Sequence, residues 1–208
     1  SDDGVLFDSS GETLLLYPAK RTETEYAIPD GTKRIGEYAF EDCQTLKSLK
    51  IPDSVSAIGE YAFEDCLWIE NATLPGWTLE YIFTERLRTL TVTSGSIGGS
   101  AFHSCESLTA LTVGDGVEEI DQYAFSYSGL RRVTIGNVKT IQLFAFRSCR
   151  NLTDLIIGDG VGTIGEYAFD NCSSIERLTL PAKAIPFIEE KSGVKTLTVT
   201  SGSIGGNA

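Results

Sequence analysis

Five cysteines and one histidine are the side chains in this 208-residue sequence from which thiolate, soft-metal or acid–base chemistry would be built. Cys43 and Cys66 stand 23 residues apart, and so do Cys149 and Cys172, with Cys105 between the pairs. An odd number excludes a fully paired disulfide framework. If each stretch of that length forms one coil of a stack, the sulfurs line up in a column with Cα atoms about 5 Å apart, within disulfide reach. Parallel side chains in a column present the wrong bond angles, however, and Ser128 takes one of the cysteine places. Buried thiols acting as small hydrophobes are expected. A metal needs ligands converging on a point, which a column does not supply, so no metal and no cofactor is expected. His103 has no acid or nucleophile at a fixed spacing, and general acid–base catalysis needs a positioned partner. It reads as a surface residue, and no catalytic residue is assigned. Gly114-Asp-Gly116 and Gly158-Asp-Gly160 offer one carboxylate each where calcium takes six to eight oxygens. Both occupy the slot of Pro52-Asp53-Ser54 and read as turns.

The elements that carry these residues are repeats. Ile35-Gly-Glu-Tyr-Ala-Phe40-Glu-Asp-Cys43 returns at Ile58–Cys66 and, as Ile164-Gly-Glu-Tyr-Ala-Phe169-Asp-Asn-Cys172, near the end of the chain. Weaker copies run over Ile97–Cys105, Ile120–Ser128 and Ile141–Cys149, and a partial seventh over Ile204–Ala208. Between them lie apolar residues spaced by two: Leu49/Ile51, Leu90/Val92, Leu111/Val113, Val133/Ile135, Leu155/Ile157, Leu178/Leu180 and Leu197/Val199. That spacing puts both side chains on one face of a strand. Tyr26/Ile28 and Ala72/Leu74 fit the same frame, so nine short strands are predicted, with steps of 18 to 23 residues between them. Steps of this size fit leucine-rich repeats.

No unit can bury its own apolar side, but a stack can share a core of Leu/Ile pairs, Val–Ile steps such as Val55 and Ile58, and Ala-Phe pairs. The expected fold is a right-handed solenoid with one parallel sheet, short helical or 3-10 turns on the other side, and a length on the order of 40 Å. Small residues at Ala39, Ala62, Ala101, Ala124, Ala145 and Ala168 suit a tight turn over the core. Residues 1–25 read as a cap: Val5–Phe7, a polar turn, then Thr13–Tyr17 form a β-hairpin over the open end of the repeats at 26–208. A longer period lies on top. Thr89–Gly99 and Thr196–Gly206 are identical and 107 residues apart. Each follows a coil without the Ala-Phe-x-x-Cys signature, Leu67–Arg86 and Pro181–Gly193. The second match stops mid-repeat at Ala208, and methionine is absent; a longer native protein, processed at its start, is therefore expected.

The pattern L-x-I-P-x-x-V-x-x-I-G-x-x-A-F-x-x-C, best kept at Leu49–Cys66 and Leu155–Cys172, resembles the BspA-like leucine-rich repeats of bacterial surface proteins. That resemblance covers residues 26–208. It implies a secreted or surface-attached protein and a role in adhesion to host proteins or other microbes, with no particular ligand.

Composition narrows the classes independently. Apolar residues make up 41% and charged residues 22% of the chain, which excludes a disordered or membrane-embedded class. The longest apolar run, Leu14–Tyr17, is far below the roughly 18 residues of a spanning helix, so no direct membrane insertion is expected. Seventeen basic and 29 acidic residues leave a net charge of −12, which disfavours nucleic acid.

Against that background one face stands out. The residues between the inward pairs are Lys50, Thr73, Thr91, Thr112, Thr134, Ile156, Thr179 and Thr198, six of the eight being threonine. Together with the two positions before each pair, these columns hold Lys47, Lys50, Arg88, Arg131, Arg132, Arg177 and Lys195 against Glu70, Asp154 and Glu176. A mildly basic strand face on an acidic body can steer an acidic partner. The candidate ligand-binding residues are Lys50, Thr91, Thr112, Arg131, Arg132, Thr134 and Arg177, and the expected partner is a host or microbial surface protein or a glycan. The alternative is a stalk or spacer with no ligand of its own, in which the charges keep the sheet soluble. An enzyme is not expected, since no nucleophile, base and oxyanion donor assemble from these repeats. A second column, Tyr38, Tyr61, Tyr123, Phe144 and Tyr167, is expected to stack, partly exposed, on the side away from the strands. Trp68, Trp77, Tyr81, Ile82 and Phe83 crowd the first irregular coil, with Ile185, Phe187 and Ile188 in matching places of the second.

Overall fold

An apolar–polar–apolar triplet is extended most readily when one face can be buried, and stacking such triplets buries that face in every coil at once. In the computed structural model, which describes residues 4–82, 85–189 and 193–202, nine triplets form nine strands: Glu25–Ala27, Ser48–Lys50, Asn71–Leu74, Thr89–Ile97, Ala110–Ile120, Arg132–Ile135, Asp154–Ile157, Arg177–Leu180 and Thr196–Val199. They lie side by side in chain order, all parallel. The register aligns Tyr26, Leu49, Ala72, Leu90, Leu111, Val133, Leu155, Leu178 and Leu197 in one inward row. The Val–Ile steps build a second parallel ladder. Ile35 pairs with Ile58 in one part of it, and Ile97, Ile120, Ile141 and Ile164 form the other. The strands Thr89–Ile97 and Ala110–Ile120 are long because they run through both ladders.

The predicted hairpin forms from Leu6–Phe7 and Thr13–Leu16. It joins the second ladder rather than the first, with Leu14 beside Ile35, and Tyr17 stacks on Phe40 at 5.0 Å. Val5, Leu14 and Tyr17 are thereby buried over the first coil. Asp8 organises the turn, accepting from Ser10 and from the Glu12 and Thr13 amides. The Ser10 bond, with the bonds from Thr13, takes its carboxyl down to about 2.

The turn side of the regular coils is built differently from the expectation. Among the described residues, 3-10 turns occur only in the two irregular coils, at Gly76–Tyr81 and Ala182–Phe187. The six regular coils instead place two left-handed residues four apart, as at Tyr38 (φ 53°) and Asp42 (φ 56°), and again at Tyr61 and Asp65. Asp, Asn and Ser tolerate this region; a bulky aromatic does so at a cost. The alternation aims successive N–H groups of one coil at carbonyls of the next: Tyr38 N donates to Glu60 O at 3.2 Å, Phe40 N to Ala62 O at 2.7 Å and Asp42 N to Glu64 O at 2.9 Å. This third ladder offsets the strain. It also stacks the aromatic column, with Tyr38–Tyr61, Tyr123–Phe144 and Phe144–Tyr167 centroids 5.3, 5.2 and 5.5 Å apart. Tyr38, Tyr61 and Tyr167 remain exposed.

Beneath it the phenylalanines form a buried spine, Phe102–Phe125–Phe146–Phe169, with centroids 5.1 to 5.2 Å apart. Five alanines of the adjoining column are buried, as their size implied. Ala101 is the exception and is exposed, because the 3-10 helix before it does not cover the turn. That helix packs directly on the strand that follows. A Cβ at Gly76 would collide with the Ser96 carbonyl. Each irregular coil is also spanned by an aspartate. Asp53 accepts from Thr93 Oγ1 at 2.7 Å and Ser94 Oγ at 2.6 Å, and Asp159 accepts from Thr200 Oγ1 and from Ser201 Oγ at 2.9 Å. Phe83 and the partial repeat at 204–208 lie outside the described residues.

Candidate binding face

The inward row fixes which side chains stand on the outer face of the sheet. Thr91, Thr112 and Thr134 are register neighbours on three adjacent strands. Arg131 and Arg132 are both exposed at the start of the third. Lys50 is exposed on the same row two strands before Thr91, and Arg177 two strands beyond Arg132. At about 4.8 Å per strand, the seven candidate residues spread over roughly 30 Å of flat face rather than converging on a pocket.

The three carboxylates of these columns, Glu70, Asp154 and Glu176, are all engaged in ion pairs, so the excess positive charge is concentrated on particular residues. Arg177 grips Asp154 through Nε and through Nη2, the latter at 2.6 Å. Glu70 lies 3.8 Å from Lys47 and 3.7 Å from Arg88, and Glu176 is 2.7 Å from Lys195. The bond from Arg177, followed by the one from Thr153 and the charge of Arg132, holds the Asp154 carboxyl below the usual carboxylate range. Among the described residues, Lys50, Arg131 and Arg132 carry no ion pair. Repeat spacing could have revealed the pairing, since Asp154 and Arg177, like Lys47 and Glu70, are 23 residues apart.

The cysteine column is a column of thiols. Cys43, Cys66, Cys149 and Cys172 are buried, and burial pushes Cys43 and Cys66 up to about 12. Cys149 Sγ and Cys172 Sγ donate to the Phe125 and Phe146 carbonyls of the preceding coil, each at 3.2 Å. A hydroxyl can serve the same place, which is why Ser128 fits; its Oγ lies 3.4 Å from Cys149 Sγ. Cys105 is half-buried. With a thiol-specific disulfide reagent, the folded protein is expected to give one fast-reacting cysteine, Cys105, and four that react only with denaturant. Fast labelling of two or more in native buffer overturns this reading of the column.

His103 is exposed, 3.0 Å from Ser104 Oγ and 5.6 Å from the Tyr127 ring. The expected turn at Gly114-Asp-Gly116 is instead part of the strand Ala110–Ile120, at the place where its register with the preceding strand shifts, and the Asp115 carboxylate accepts the Asn137 amide at 2.8 Å. Among the described residues, no three His, Cys, Asp or Glu side chains come together to hold a metal, and no helix is long and apolar enough to cross a membrane.

Nine parallel strands, one per coil of 18 to 23 residues, over a shared Leu/Ile core define a leucine-rich repeat solenoid. The chain belongs to the BspA-type leucine-rich repeat family, whose repeat region it matches in six copies over residues 19–94 and 84–192. Among solved structures it is similar to a leucine-rich repeat protein from Eubacterium ventriosum at 20% identity and a TM-score of 0.46, over 96% of this chain and 48% of that one. It thus spans about half of that protein's length. It is also similar to a leucine-rich cell-surface protein from Faecalibacterium prausnitzii at 17% identity and a TM-score of 0.34, over 88% of this chain and 80% of that one. A pneumococcal vaccine antigen matches at 17% identity and a TM-score of 0.43, over 95% of this chain and 47% of that one. No curated protein matches the sequence.

Proposed function

We propose that the protein is a non-enzymatic, extracellular binding module that holds an acidic surface protein or an acidic glycan on its strand face. The observation that carries this reading is the set of cations with no ion pair among the described residues, Lys50, Arg131 and Arg132, on a flat face beside Thr91, Thr112 and Thr134. In a chain of net charge −12, that patch gives an acidic partner both an attraction and an orientation. The threonine row supplies hydroxyl donors and acceptors at the strand spacing. Membership in a family with a cell-surface relative supports an extracellular setting.

The test is a screen of the protein against matrix proteins and a glycan array at two salt concentrations. A hit is expected to weaken with salt and to be lost in the Arg131→Glu/Arg132→Glu variant. Asp154→Asn, which frees Arg177, is expected to strengthen the same hit at a stability cost of only about 0.2–1 kcal/mol. Capture at full strength in the double variant sinks the strand-face reading. A spacer is the second reading, favoured by the ion pairs that occupy Arg177 and Lys195 and share Glu70 between Lys47 and Arg88; an empty screen would support it.

A further inference from the structure

The groove between the first 3-10 helix and the coil after it lies on the turn side, away from the strand face, and its polar groups are of one kind. It has a volume of about 500 Å³, within the range of ligand pockets. Trp77, Leu79, Ile82 and Phe102 supply apolar walls. In the regular coils, the carbonyls at the positions of Glu60 and Ala62 accept N–H groups from the coil before. The corresponding carbonyls here are those of Gly99 and Ala101. Among the described residues nothing donates to them. Both residues line the groove and both are exposed, Ala101 alone among the described alanines of its column. Glu80 borders the same space, and among the described residues no lysine or arginine does.

We propose that this groove receives the side chain of a lysine presented by a protein partner. An unbranched alkyl stem can lie along Trp77, Leu79 and Ile82 while its head reaches the polar edge. The ammonium has three donors, matching the Gly99 and Ala101 carbonyls and the Glu80 carboxylate. Hydrogen bonds to a charged donor are the strong kind. A neutral alkyl chain would desolvate those acceptors without replacing their bonds, and an anion would meet like charge. The planar fork of an arginine suits a carboxylate bidentately but not two carbonyls of one edge. At the end of that edge the Gly98 N–H, whose counterpart at Gly59 donates to Ile35 O at 2.9 Å, has no acceptor among the described residues and is available to the incoming peptide carbonyl.

Trp77 is the natural reporter. In a Trp68→Phe background it is the sole tryptophan, and its fluorescence can be titrated with a blocked pentapeptide Gly-Gly-Lys-Gly-Gly, the same peptide with norleucine, and cadaverine. A saturable change is expected with the lysine peptide, weaker by about tenfold or more with norleucine. Glu80→Gln is expected to weaken it several-fold, and Ala101→Leu, which fills the groove from an exposed position, to abolish it. No response at millimolar peptide, equal binding of norleucine, or indifference to Glu80→Gln overturns the site. Cadaverine binding as well as the peptide overturns the assignment to a protein lysine in favour of a free diamine. The Arg131→Glu/Arg132→Glu variant is expected to titrate unchanged, so this site and the strand face stand or fall separately.

Discussion

Replacing Phe125 with alanine is expected to lower stability by about 3–5 kcal/mol, the range for deleting a buried aromatic ring whose space stays empty. The space will stay empty here. Phe125 is fully buried, 5.2 Å from the Phe102 ring and 5.1 Å from the Phe146 ring. Its backbone is pinned on both sides, since its N–H donates to Ala145 O and its carbonyl accepts Ser128 N and Cys149 Sγ. In a stack each coil touches chiefly its neighbours, and the regular coils around Phe125 do so, so stability is approximately the sum of coil terms and interface terms. The lost ring weakens two interfaces together and leaves the rest intact. Denaturant unfolding is therefore expected to show an earlier transition that breaks up, with the coils on either side melting apart. A loss below about 1.5 kcal/mol with one unbroken transition would mean the spine is not what holds neighbouring coils together.

The second large effect concerns two glycines at the same motif position. A Cβ at Gly59 would lie 2.5 Å from Glu37 N, 2.7 Å from Gly36 C and 2.8 Å from Glu37 Cα. All three are backbone atoms of the coil before, held by the ladder, so the collision can be relieved only by parting the coils. Gly59→Ala is expected to cost about 1–3 kcal/mol, as overpacking of a fixed interior does. At Gly36 the same atom meets Leu14 O at 3.0 Å and Leu15 Cα at 3.5 Å. Those belong to the terminal hairpin, which has one neighbour in the stack rather than two and can shift by a few tenths of an ångström. Gly36→Ala is expected to cost well under half as much. Thermal unfolding of the two variants side by side decides the matter; equal losses would show that the hairpin is as fixed as an interior coil.

Much of this architecture is legible in the sequence because it is periodic. Leu49 and Ile51 state a strand by their spacing, and repetition 23 residues later, at Ala72 and Leu74, states the stack. The outward threonines and the aromatic column follow from the same frame. What escapes it is whatever depends on the conformation between repeats. Nothing in Tyr38-Ala-Phe-Glu-Asp42 announces that its first residue is left-handed, since tyrosine is a poor candidate for that region. The condition is set by the carbonyls of the next coil, which only a stacked neighbour supplies. For the same reason the exposure of Ala101, and the lack of a donor to its carbonyl among the described residues, are invisible in residues 97–105 themselves. They go with the 3-10 helix some 20 residues earlier. The charge pairing on the strand face stands between these cases. Asp154 and Arg177 are readable as partners once the repeat length is known, whereas Glu70 shared between Lys47 and Arg88 needs the real offsets of an irregular coil.

The aspartate bonds that reach across each irregular coil have a mechanical meaning. A parallel stack drawn out by its ends is loaded in the manner of a zipper, so its rungs part in succession and tension stays low. Asp53, held to Thr93 and Ser94, and Asp159, held to Thr200 and Ser201, each tie a coil to the next but one. The coil between cannot peel away until its tether gives, so two interfaces share the load that would otherwise fall on one. Tension along the molecule is thus carried in blocks, with reinforcement placed where a departure from the regular turn would leave the weakest seam.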